Sequence, residues 1–188
     1  MRPRLRSPRS DQAEDHSIAR TWRAEGHTLT TKDDFTEDEW ARVVRAPMVA
    51  GMAISLADPG GPIEATKETM ATAKTAMNPP SREQLLAEVA LEIQGQVQQH
   101  HNPLKGFKPT AAGSSPGEQV LEELRAVGGI IAAKATAEEA TAFGTWLVAA
   151  AQASADAAKE GGFMGFHAER VSEREQAMLD QVRGAVNG

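Results

Sequence analysis

The chain has 188 residues, enough for one domain plus tails, and is 40% apolar but only 4% aromatic. Its formal net charge of −6 argues against a nucleic-acid-binding domain, which needs a basic face to neutralise phosphates, so no nucleic-acid partner is expected. The absence of cysteine excludes disulfides, thiolate metal ligands and a cysteine nucleophile, and it fits a reducing, cytoplasmic location.

The chain opens with Arg2, Arg4, Arg6 and Arg9, interleaved with Pro3 and Pro8. No apolar run follows, so this start does not read as a signal peptide, and Asp11, Glu14 and Asp15 do not suit a transit peptide. Ile18, Trp22 and Leu29 stand alone among polar residues. Residues 1–33 are therefore expected to form a disordered basic and polar N-terminal extension, with at most a short helix near Ser17–Ala24.

Residues 34–188 read as a single helical domain. Thr36 and Glu39 have the spacing of a capping box, and Phe35 and Trp40 that of a hydrophobic staple. Trp40, Val43, Val44, Met48, Gly51 and Ile54 continue at helical intervals to Asp58-Pro59-Gly60-Gly61. Pro47 predicts a kink, or a fresh helix start, within this element. A second helix opens at Pro62 and Glu64 and ends near Met77, before Asn78-Pro79-Pro80. A third carries the cap pattern Ser81 to Gln84 and the stripe Leu85, Leu86, Val89, Ala90, Ile93 and Val97, fraying into His100-His101.

Residues 100–115 are rich in Pro, Gly, Lys and Ser and are expected to form a long mobile loop. Ser115, Pro116 and Glu118 restart the helical pattern, with Val120, Leu121, Leu124, Val127 and Ile131 facing inward. Thr136 and Glu139 cap the fifth helix, whose inner stripe includes Phe143, Leu147 and Ala151. Trp146 lies off that stripe and is expected half exposed or at an interface. The loop Gly161–Phe166 follows, and Ser172 and Glu175 cap a sixth helix carrying Met178, Leu179, Val182 and Ala185. No segment alternates as a strand does. The expected fold is all-α, a bundle of about six helices. Gly51, Gly128, Gly129 and Gly144 fall inside predicted helices, where close approach of a second helix offsets their cost, or where the Gly128-Gly129 pair breaks the helix.

Known catalytic signatures are missing: no phosphate loop, no dinucleotide fingerprint, no His-Glu-x-x-His and no EF-hand loop. The longest uncharged stretches, Ala46–Ala57 and Thr141–Ala155, fall short of the roughly 20 residues that span a bilayer. The first expectation is thus a non-enzymatic, cofactor-free interaction protein that self-associates or binds a protein partner, with Trp146, Phe163 and Phe166 as contact residues.

A faint internal echo supports a second expectation. An Ala-rich helix with a tryptophan near its start runs into Gly60-Gly61 and then Glu64; another runs from Trp146 through Gly161-Gly162 to Glu175. Ala57-Asp58, Gly60, Ile63 and Glu68, and again Val171, Ser172 and Glu175, resemble the interhelical segment of TerB-like bacterial helical proteins, a family linked to tellurite resistance and stress responses. Two extra residues interrupt the first copy, and the second lacks the leading Ala-Asp-Gly. If the two glycine loops meet, Asp58, Glu64, His167 and Glu169 are a candidate set for a divalent metal ion.

Overall fold

A computed structural model describes residues 29–159 and 171–187. The described residues form six α-helices and no strand: α1 (Glu37–Ala57), α2 (Pro62–Ala76), α3 (Gln84–Gln98), α4 (Pro116–Lys134), α5 (Ala137–Lys159) and α6 (Glu173–Asn187). A short 3₁₀ turn, Lys32–Asp34, precedes them. The expected disorder of the N-terminal extension falls on residues that, up to 28, lie outside the described chain.

The helix starts are built by local chemistry. Thr36 and Glu39 form the predicted capping box, with the Thr36 N–H donating to Glu39 at 2.8 Å and the Glu39 N–H donating back to Thr36 at 3.3 Å. Phe35 and Trp40 make the staple, their ring centroids 5.5 Å apart. The same reciprocal pattern starts α4 at Ser115 and Glu118, α5 at Thr136 and Glu139, and α6 at Ser172 and Glu175. The third start differs from expectation. Ser81 accepts from the N–H of Glu83 in a tight turn, and α3 begins only at Gln84, so no Ser81–Gln84 box forms. The end of α3 is also sharper than a fray. His100 takes the left-handed conformation (φ 56°), and the N–H groups of His100 and His101 donate to Val97 and Gln96 in a Schellman cap.

Helices α1 and α5 form the centre: each packs against all four of the outer helices and against the other. Residues Val43 to Gly51 are buried without a gap, as a helix enclosed on all sides requires. Pro47 sits inside that run, and α1 continues through it as one helix. Gly51 lets α2 approach, since a Cβ there would collide with the Thr72 side chain. Gly144 does the same for the end of α6, where a Cβ would lie 2.9 Å from Asn187. Gly128-Gly129 does not break α4, and Gly129 faces open space, so close approach does not account for it.

Polar clamps lock the layers. Glu123 of α4 is buried and accepts from Arg42 at 2.7 Å and from Arg45 at 2.7 and 3.0 Å. Arg45 also lies 5.9 Å from the Phe107 ring centroid, which ties the loop of residues 100–115 to α1. Gln119 holds the same loop through both Thr110 backbone groups and the Ser114 carbonyl. The chain is anchored earlier than the expected boundary: the Thr30 hydroxyl donates to Glu139 at 2.6 Å and its N–H to the same carboxylate at 3.2 Å.

Candidate functional site

The outer face of α2 is the first unusual surface. Ile63 and Met70, seven residues apart and so on one face, are 74% and 67% exposed. The opposite face turns Glu68, Thr72 and Ala76 into the bundle. Glu68 is only 2% exposed and accepts a short hydrogen bond from Ser55 of α1. Thr72 returns its hydroxyl to the Glu68 carbonyl at 2.8 Å. The helix is thus turned with polar groups inward and its larger apolar side chains outward, the reverse of an ordinary amphipathic helix. No motif marks this. The signal was present in the spacing, because at 100° per residue Ile63 and Met70 align opposite Glu68, Thr72 and Ala76.

Trp146 corrects an expectation. It is fully buried, its indole N–H donates to the Thr75 carbonyl at 2.9 Å, and Phe143 meets it edge-on at 5.8 Å. Its position off the Phe143–Leu147 stripe misleads because α5 is covered on several sides, and the side that carries Trp146 is closed by α2. Trp146 is a core residue and presents no surface to a partner. Phe163, Phe166, His167 and Glu169 lie outside the described residues.

Asp58 and Glu64 are described. Glu64 reaches back to the Gly61 N–H at 2.7 Å and caps α2. Asp58, half exposed, closes α1 and lies 3.9 Å from Arg174 at the start of α6. That approach brings the end of α1 beside the start of α6. Among the described residues, no group of three His, Asp or Glu side chains is placed to hold a metal ion. Likewise, no described helix is long and apolar enough to cross a membrane.

A second surface is a groove of about 630 Å³ between α1, α3 and the turn after α3, walled by Trp40, Glu88, Leu91, Glu92, Gln96 and Lys105. A neighbouring hollow of about 490 Å³ continues it past Trp40 to Asp33 and Glu37. The Lys32 N–H donates to Glu88 at 2.8 Å and its amine to Glu92 at 3.0 Å, so the 3₁₀ turn forms part of the wall. The Trp40 indole N–H is buried with no acceptor among the described residues. An unmet buried donor costs about 1–3 kcal/mol.

No protein-family model matches the chain, and no curated protein or solved structure matches it either.

Proposed function

We propose that this protein is a non-enzymatic helical interaction protein whose outer α2 face, centred on Ile63 and Met70, pairs with the same face of a second copy. The inverted orientation of α2 carries this reading. Two apolar side chains one heptad apart make a self-complementary surface, because a two-fold axis sets Ile63 of one copy against Met70 of the other. Four such side chains, each about 70% exposed beforehand, contribute roughly 4–8 kcal/mol on burial. Association costs about 4–15 kcal/mol, so the dimer is weak and concentration-dependent. A cytoplasmic location and the absence of a nucleic-acid role go with this reading, on the lack of cysteine and the net charge of −6.

Sedimentation of the full chain over a concentration series is the test. The mass should climb toward a dimer as concentration rises. Ile63→Glu with Met70→Glu should stay monomeric while keeping its helical circular dichroism. A wild-type chain that remains monomeric up to about 1 mM overturns the reading.

The approach of Asp58 to Arg174 favours a second reading, a TerB-like bundle binding a divalent ion through Asp58, Glu64, His167 and Glu169. Against it stand the cap that already engages Glu64 and the cation beside Asp58. A true site at saturating metal adds about 2–4 kcal/mol. Melting with Mg²⁺, Ca²⁺, Mn²⁺ or Zn²⁺ should then show an upward shift that Asp58→Asn abolishes, and the absence of a shift with any of them removes this reading.

A further inference from the structure

We infer that the groove between α1 and α3 is a docking site for the chain's own arginine-bearing N-terminal segment, centred on Arg20-Thr21-Trp22-Arg23. Charge supports this first. Residues 1–28 hold six arginines against four acids, whereas the rest of the chain is strongly acidic. Glu88 and Glu92 stand on the groove wall, and Asp33 and Glu37 line its continuation. Lys32 donates its N–H to Glu88 and its amine to Glu92, Gln84 also donates to Glu88, and Lys105 is a second cation on the wall, so across both hollows four carboxylates face two lysines. A guanidinium offers a planar fork of donors that suits a carboxylate better than a lysine amine does.

Apolar chemistry supports it next. Leu91 projects into the groove 66% exposed, beside the exposed Ala41. This gives an indole such as that of Trp22 an apolar surface to lie on. Trp40 itself lines the same wall.

The tether is the third support. The described chain begins at Leu29, three residues before the groove wall at Lys32. Arg23 stands six positions before Leu29, a reach of up to about 20 Å. A segment held this close meets the groove at an effective concentration in the millimolar range, so even weak contacts fill it.

The absence of native cysteine allows a clean test. A nitroxide on Gln96→Cys, in the full chain, should broaden the amide signals of residues 20–23. The same label on Asp180→Cys, on α6 and away from the groove, should not. Glu88→Lys with Glu92→Lys should abolish the broadening while the helical circular dichroism is kept, and so should high salt. Mixing labelled and unlabelled chains separates contacts within a chain from contacts between chains. Equal broadening from both labels, none from Gln96→Cys, broadening that arises only between chains, or broadening that survives charge reversal each overturns the inference.

Discussion

Glu39 shows how one side chain serves several ends at once. It accepts from the Thr36 N–H and pairs with Lys134 at 2.9 Å. Lys134 also donates to the Asp34 carbonyl at 2.8 Å, so this cluster joins the last turn of α4 to the start of α1. The backbone hydrogen bond from Thr36, and then the Lys134 contact, lower the Glu39 pKa from 4.5 to about 2. Glu118 is lowered in the same direction by the Ser115 N–H and hydroxyl. A carboxylate whose pKa is depressed on folding stabilises the native state above its unfolded pKa. That contribution drains away as pH falls through the folded value. The stability gap between wild type and Glu39→Gln should therefore be full above about pH 4.5 and shrink as pH is taken toward 2. Urea midpoints collected across that range check it, and a gap independent of pH would remove the argument. Residue-level signals of this sort were legible in advance. A Thr or Ser followed three places later by Glu satisfies backbone donors wherever it occurs, so the starts at Thr36, Ser115, Thr136 and Ser172 needed no tertiary knowledge. Ser81 failed because its hydroxyl had a nearer donor, the Glu83 N–H.

At the level of the helix, glycines separate local cost from tertiary need. Gly51 and Gly129 both sit in helix interiors, where glycine is disfavoured. Their surroundings differ completely. An added methyl at Gly51 runs into the buried Thr72 side chain, whose hydroxyl is committed to Glu68. At Gly129 it meets nothing. Gly51→Ala should accordingly destabilise the protein by about 1–3 kcal/mol through overpacking. Gly129→Ala should stabilise it by up to about 1 kcal/mol through helix propensity alone. Chemical denaturation of the two variants is sufficient, and equal signs would show that packing between α1 and α2 is looser than described. Spacing flagged both glycines as unusual, yet it held no information on which one faces another helix. The same limit explains Trp146. A helical stripe identifies one buried face, whereas α5 is covered on several sides, so a residue off the stripe reads as exposed when it is not.

At the level of the molecule, helix count, order and approximate limits were readable because apolar spacing and caps agree along the chain. The surfaces were not. The polar interior of α2 depends on Ser55 and Gly51 from α1, and the α1–α3 groove depends on a turn that brings Lys32 to Glu88 and Glu92. The Arg42–Glu123–Arg45 clamp and the Thr30–Glu139 contact join residues about 80 and 109 positions apart, which no local pattern encodes. Removing one arginine of the Arg42–Glu123–Arg45 set leaves the buried Glu123 charge less compensated, which is costly.

The central place of α1 also sets a problem during synthesis. Its mostly apolar middle, Arg45 aside, leaves the ribosome about a hundred residues ahead of its chief cover, α5. At ordinary translation speeds the nascent chain carries that helix without its main cover for roughly 5–20 s. Cells making this protein would need to keep the half-finished chain from clumping during that interval.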